Sequence, residues 1–380
     1  MAPFEPQNKL AGTHSPVMIV PLPSPTESDD SEESGASERD GTLPTQQSQH
    51  QRPVHKITVC HGRVKNPEAM VSDTWWKSVF ADSLYLQTDG DVVEDPEITL
   101  QEIRMMENIP AVHSILKSSN TGAAPEGTIT STSAVHVLDL CCGQGRHVLQ
   151  LAELYPHLSI SGVDQSKYLI NLAQSRALAA DAPQSSLEGV STIHPHQSPR
   201  PVSQRVQFSI GDSRSTTFDD MAFDLVIVMG NSFGYFANDQ EDEAVLKEIL
   251  RILKPGGTVL LDIADGEYLR ENYSPRGWEW VDDSMIVCRE RWLTEDKKRL
   301  VSREVVMLTN QGVIRDQFYQ ERLYSLEEIR LLLQGVGLVL LENSGPEELL
   351  INRVGAEMSL RGEDLGMMEQ RHLIAARKPK

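Results

Sequence analysis

The spacing of apolar and polar positions changes several times along the chain. Val135–Leu140 is a short apolar run rich in β-branched residues that ends at a glycine-containing turn, which predicts a strand. Arg146–Tyr155 then carries Val148, Leu149, Leu151, Ala152, Leu154 and Tyr155 at helical spacing. Ile160–Asp164 predicts a second strand, and Ser166 is placed to cap a helix with Leu169, Leu172 and Ala173 on one face. Val206–Ile210 and Phe223–Met229 predict a third and a fourth strand. Glu241–Leu253 reads as a helix, broken at Lys254-Pro255-Gly256-Gly257 before a fifth strand at Thr258–Ala264. Strands and helices alternating at this spacing imply an α/β fold, a doubly wound and mostly parallel sheet covered on both faces.

Downstream the period shortens to that of strands alone. Ser284–Leu293, Arg299–Thr309 and Val313–Glu321 are β-rich runs joined by short turns, so residues 284–321 predict an added antiparallel β segment. Tyr324–Gln334 is helical, and Leu338–Glu342 and Arg371–Arg377 predict two last strands. Upstream, residues 73–117 read as an N-terminal cap, in which Trp75, Trp76 and Tyr85 either anchor the cap or form a lid over a site.

Composition divides the chain further. Residues 1–50 hold eight acidic and two basic side chains, 2 − 8 = −6, among many Pro, Ser, Thr and Gln. Such a stretch buries too little apolar area to offset its ordering entropy and is expected to be disordered, whether as a solvating tail or as a phosphorylated or partner-binding one. Residues 118–133 and the flexible insertion 183–204 read as extended loops between regular elements, within one domain spanning 73–380. Over the whole chain 55 acidic against 35 basic residues leave a formal charge of −20. That charge argues against nucleic acid and anionic membranes as partners, and no apolar run approaches the ~18 residues needed to span a bilayer. The N-terminal residues carry no pattern of a secretory signal. Cys60, Cys141, Cys142 and Cys288 show neither metal-ligand spacing nor a disulfide framework, so the expectation is no metal and a reducing compartment, the cytoplasm with the nucleus left open.

Chemistry concentrates in the turn after the first strand, Asp139-Leu140-Cys141-Cys142-Gly143-Gln144-Gly145-Arg146-His147. Glycines there let a backbone approach a ligand closely, and the following helix offers unpaired N–H groups to an anion. Asp164 ends the next strand, where an acid reaches the hydroxyls of a ribose. A dinucleotide fingerprint would place a third glycine at position 148, which is Val. Asp139 would repel a pyrophosphate but suits an ammonium group. S-adenosylmethionine (SAM) combines an ammonium, a carboxylate and a ribose, and so matches all three features.

These segments, with the GVDQS run at 162–166, the IGDSR turn at 210–214, Phe223–Phe236 and Leu253–Gly257, resemble the ordered motifs of class I SAM-dependent methyltransferases. The likeness extends to Arg322–Leu338, and so covers roughly residues 73–378. It looks closest to the small-molecule branch with GQGRH and NSFGYF wording. Cys141 stands where the family usually has the first glycine of its loop. The resemblance implies a seven-stranded sheet of order 3-2-1-4-5-7-6 with its last strand antiparallel. It also implies that Asp139, Cys141, Gly143 and Gly145 hold the methionine end of SAM, and that Asp164, with Gln165 beside it, holds the ribose. Asp212 and Ser213 would lie by the adenine, and Gly230 and Asn231 near the sulfonium and the acceptor.

Methyl transfer asks mainly for alignment and exclusion of water. A general base is needed only if the acceptor arrives protonated. His147 is a candidate base or a packing histidine, and Asn231 and Tyr235 are further catalytic candidates. Tyr235 and Phe236 offer aromatic faces to an acceptor or pack in the core. Arg322 and Tyr324 meet an acceptor carboxylate or form a surface salt bridge. The expected activity is transfer of a methyl group to N or O of a small-molecule acceptor, by a monomer or a homodimer. The rival readings are a protein or peptide methyltransferase, and a SAM-binding regulatory protein without turnover.

Overall fold

The computed structural model describes residues 60–89, 93–118, 134–181, 200–341, 351–352 and 370–380. The tail assigned to 1–50 lies outside them, as do residues 119–133 and 183–199 of the two insertions. Helices α1 (Trp75–Val79), α2 (Leu84–Thr88), α3 (Pro96–Glu107) and α4 (Pro110–Lys117) come before the sheet. The alternating part follows as β1 (Val135–Leu140), α5 (Arg146–Leu154), β2 (Leu158–Asp164), α6 (Lys167–Ala180), β3 (Val206–Ile210), β4 (Phe223–Val228), α7 (Asp239–Ile252), β5 (Leu253–Ala264) and α8 (Gly266–Asn272). Four strands, β6 (Arg276–Asp282), β7 (Met285–Leu293), β8 (Arg299–Leu308) and β9 (Gly312–Arg322), come next. The described chain closes with α9 (Leu326–Val336), β10 (Val339–Leu340), β11 (Ile351–Asn352) and β12 (Arg371–Arg377).

The main sheet runs β3-β2-β1-β4-β5-β12-β10, with β11 paired to β12. This is the expected 3-2-1-4-5-7-6 order: β1 to β5 are parallel, and β12 lies antiparallel to β5. Alternation along each strand feeds two cores. Val137, Leu225, Leu260 and Leu373 point to one face and pack with Ile103, Met106 and Leu116 of the cap and Leu151 of α5. Their chain neighbours Leu138, Val226, Leu261 and Ile374 point to the other, against Leu246 and Ile249 of α7 and Ile329 and Leu333 of α9. A central strand buried on both faces must be apolar at consecutive positions, as β4 is.

Helix ends follow local chemistry. Ser166 caps α6 by accepting from the Leu169 N–H at 3.2 Å, as its sequence position predicts. Ser325 and Glu328 form a reciprocal capping box on α9, and Gly337 ends that helix at φ +95°. The helix predicted from Tyr324 therefore starts two residues later, at Leu326. Strand β5 differs from its prediction as well. Lys254–Gly257 does not precede the strand but lies in it, with Gly256 at φ +81°.

The antiparallel sheet has the order β6-β7-β8-β9. Sequence patterning found three of these strands and missed β6, whose two tryptophans, Trp278 and Trp280, are exposed. No helix among the described residues is long and apolar enough to cross a membrane.

Candidate functional site

The loops after β1 and β4 leave the carboxyl edge of the sheet beside each other, which in open α/β sheets opens a crevice. A cavity of about 260 Å³ occupies it, walled by the Asp139–His147 turn, the ends of β2 and β3, the Gly230–Phe236 turn, cap helices α1 and α2, and one face of the antiparallel sheet.

The first turn is clasped against β2. The Cys142 N–H donates to the Val163 carbonyl at 2.9 Å, and the Gly143 N–H to Asp164 Oδ2 at 2.9 Å. Gly143 has φ +54° and open space where a Cβ would stand, whereas a Cβ on Gly145 (φ +78°) would sit 2.7 Å from the Phe208 ring. One glycine keeps the cavity floor clear and the other allows the loop to pack. Cys141, at the family's glycine position, nonetheless takes φ +66°. A cysteine there is strained, and such strain persists only where the surroundings enforce it.

Asp139 is almost wholly buried at 1% exposure, and neither carboxylate oxygen has a hydrogen-bond partner among the described residues. Burial pushes its carboxyl up to about 8, an effect that nearby Arg146 only partly offsets. Asp164 is engaged: Oδ1 accepts from the Ser166 N–H at 2.8 Å while Oδ2 holds Gly143. Burial raises its carboxyl against those bonds. Each oxygen retains a lone pair beyond these contacts. Gln165 and Ser213 line the same cavity, and Gln165 Nε2 donates to the Trp76 carbonyl at 3.2 Å. Asp212 is gripped by Arg214, whose Nε donates to Oδ1 at 2.9 Å and holds the acid below the usual carboxylate range. Arg214 in turn lies over the Phe236 ring, 4.3 Å from its centroid.

At the second turn, Gly230 (φ +66°) donates its N–H to Asp262 Oδ2 at 2.9 Å. Asn231 is also left-handed at φ +56°. Its Oδ1 accepts from the Ala264 N–H at 2.8 Å, which turns Nδ2 toward Glu321 Oε2. Tyr235 joins an aromatic group with Trp75 (centroids 4.9 Å apart) and Phe80 (6.2 Å), and Tyr319 lies 5.6 Å from Trp75.

His147 lines the cavity but is bound from behind, with Nε2 2.9 Å from Glu102 Oε2. Burial, and then Arg146, lower its imidazole to about 4, so it is neutral at physiological pH. Burial opposes ionisation of Glu102, yet Arg146, the His147 bond and Arg371 hold its carboxyl well below the usual range. Arg371 spans Glu102 (2.8 Å) and Asp262 (2.9 Å), and so ties the two cavity turns together through the core. Arg322 and Tyr324 follow the second of their two expected roles, in ion-pair and hydrogen-bond contacts away from the cavity. Arg322 Nε donates to Asp242 Oδ2 at 2.9 Å and the Tyr324 hydroxyl to the same oxygen at 2.7 Å. Both side chains brace α7 and neither lines the cavity, although Glu321, the residue before Arg322, does.

Sequence reasoning expected an antiparallel layer that covers the acceptor site or makes a dimer contact, but singled out none of its residues. Arg289 and Arg291 of β7, Ser302 and Glu304 of β8, and Gln317, Tyr319 and Glu321 of β9 share one face of the antiparallel sheet and line the cavity. Their signal was a two-residue period of polar rather than apolar positions. Arg289 joins Glu304 (3.0 Å) and Glu279, and Gln317 Nε2 donates to Glu304 Oε1 at 2.9 Å. Glu321 is 5% exposed, and burial pushes its carboxyl up to about 7 against the Asn231 bond and Arg291. Among the described residues no group of three or more His, Cys, Asp or Glu is arranged to hold a metal.

Comparison with known proteins finds methyltransferases. Residues 138–261 match the methyltransferase domain model. The chain is 23% identical over 204 residues to the putative methyltransferase YqeM of Bacillus subtilis, covering 53% of this chain and 72% of that protein. It is 29% identical over 209 residues to the cypemycin N-terminal methyltransferase of a Streptomyces species, covering 53% and 71%. Among solved structures, the CcbJ methyltransferase of Streptomyces caelestis aligns with a TM-score of 0.47 at 18% identity, covering 65% of this chain and 85% of that one. Residues 138–261 are thus a methyltransferase domain, and with the sheet order and the glycine turn they indicate a SAM-dependent methyltransferase of the class I type, with SAM as the cofactor.

Proposed function

We propose that the protein methylates a nitrogen or oxygen atom of a small polar organic acceptor held between the β1 and β4 turns and the antiparallel sheet. The observation that carries this reading is the cavity itself, continuous from the glycine turn to a polar and aromatic roof. The buried, unpartnered carboxylate of Asp139 fits the ammonium of the methionine moiety, and the space above Gly143 fits a ligand lying against the backbone. In this assignment Asp139, Cys141, Gly143 and Gly145 hold the methionine end, Asp164 and Gln165 the ribose, Asp212 and Ser213 the adenine, and Gly230 and Asn231 flank the reacting methyl group. Bound SAM supplies an electrophilic methyl group on a sulfonium. The chain's own residues then have three tasks: to fix the acceptor in line, to exclude water under α1 and the roof, and to take up any acceptor proton.

Isothermal titration with SAM and with S-adenosylhomocysteine tests the cofactor half. A screen of small amines, phenols and carboxylates for labelled methyl transfer tests the acceptor half. Micromolar binding followed by transfer to such a compound is the expected result. Binding of SAM with transfer only to protein or peptide substrates would overturn the small-acceptor reading.

A further inference from the structure

The acceptor end of the cavity carries a feature that the fold does not require. Glu321 is buried at the junction of β9 with the β4 turn, and its carboxylate faces into the cavity. Its partner Asn231 is fixed by the Ala264 N–H on one side and by a left-handed backbone on the other, so the amide presents a donor to Glu321 in one orientation only. The charged and titratable groups facing Glu321 are Arg291 from β7 and Tyr235 from the β4 turn. Seven carboxylates and three guanidiniums line the whole cavity, and Arg289 is already engaged by Glu279 and Glu304. Such a site attracts cations, and the aromatic faces of Trp75, Tyr235 and Tyr319 close beside it add to that preference.

We propose that the acceptor is a small amine taken up as its ammonium, and that Glu321 is the catalytic residue that binds this ammonium and accepts its proton. An N–H bond breaks, an O–H bond forms at a Glu321 carboxylate oxygen, and the electron pair stays on nitrogen as the lone pair needed for attack. Burial of Glu321, which pushes its carboxyl up to about 7, suits this exchange. Against an alkylammonium of pKa ~10.4 the transfer is uphill by about three powers of ten. Against a hydroxyl near the ~15.7 of water it is uphill by nearly nine. The proposal rests on the SAM and small-acceptor reading above, and deepens it from N or O to a protonated nitrogen.

The test uses the full chain saturated with S-adenosylhomocysteine, so that failure of the cofactor reading shows first, as an absence of that binding. Carbon-13 labelling of glutamate carboxyls follows the Glu321 signal, identified by its loss in Glu321→Gln, during titration with methylammonium and benzylamine and with methanol and benzyl alcohol. The amines are expected to lower the pH at which Glu321 titrates by one unit or more, and the alcohols to leave it in place. Glu321→Gln retains an oxygen for Asn231. It is expected to bind S-adenosylhomocysteine normally while losing benzylamine affinity about 10- to 150-fold, the worth of one charge-assisted hydrogen bond. Tyr235→Leu, which removes an aromatic face but no charge, should weaken benzylamine without moving the Glu321 titration of the free site. With cofactor-product binding intact, a Glu321 signal indifferent to amines, or displaced equally by alcohols, overturns the proposal. So does unchanged benzylamine affinity in Glu321→Gln.

Discussion

Asp139 makes the binding of the cofactor product measurably dependent on pH. Its carboxyl is raised to about 8 by burial, and it faces the cavity without a hydrogen-bond partner among the described residues. A ligand ammonium binds the carboxylate form, so below pH 8 binding must first expel a proton. The affinity is divided by 1 + 10^(8 − pH), which is about 100 at pH 6 and about 2 at pH 8. S-adenosylhomocysteine should therefore bind about 50-fold more tightly at pH 8 than at pH 6, with close to one proton released per molecule bound at the lower pH. Titration calorimetry in two buffers of different ionisation enthalpy counts that proton directly. The neighbouring His147, 4.0 Å away, is neutral across this range and contributes no competing proton. Asp139→Asn should abolish both the slope and the proton release, leaving weak binding at every pH. Affinity flat from pH 6 to 8, or a slope that survives in Asp139→Asn, would refute the assignment of this carboxylate to the ligand ammonium.

Three further outcomes follow from the same geometry. Asp164→Ala should lose a charge-assisted ribose hydrogen bond, about 10- to 150-fold in SAM affinity by calorimetry, and also the clasp on the Gly143 N–H. Arg371→Met leaves Glu102 and Asp262 buried without their shared cation, and should cost about 3–5 kcal/mol in denaturant titration. Tyr324→Phe removes one of the two donors to buried Asp242 and should cost about 1.5–3 kcal/mol of stability. It should leave acceptor KM unchanged, because Tyr324 lies outside the cavity.

The parallel sheet was legible because its physics is local. Consecutive apolar positions in β1, β4 and β5 are the signature of strands buried on both faces, and the turn glycines and Ser166 mark where each element stops or starts. The cofactor turn was legible for the same reason, since backbone approach and an acid at a strand end occupy a few adjacent positions. Strand β6 was not, because exposed tryptophans alternating with Gly277, Glu279 and Val281 resemble neither a buried strand nor a polar loop. The choice between the two roles of Arg322 and Tyr324 was not legible for a related reason. Proximity in sequence to a helix start says nothing about which side of the sheet a side chain faces, and both turned to Asp242.

The roof of the cavity shows why its residues escaped sequence reading. On β7, β8 and β9 one face changes from apolar at Met285, Val287, Val306 and Leu308 to polar over the cavity, where Arg289 and Arg291, Ser302 and Glu304, Gln317, Tyr319 and Glu321 point inward. In a sequence these residues look like a solvated strand face, because charged side chains are seldom buried unless paired. Pairing is what the structure supplies. Arg289 is neutralised from β6 and β8 at once, and Glu321 is held by an asparagine 90 positions away. No local window of sequence contains both Asn231 and Glu321. Burying such a polar face costs desolvation, and the acidic excess of the cavity lining as a whole, rather than of this balanced face, is what favours a cation there. The glycine-turn end of the cavity is thus written in a few adjacent positions, and the roof in cross-strand partnerships that exist only once the chain has folded.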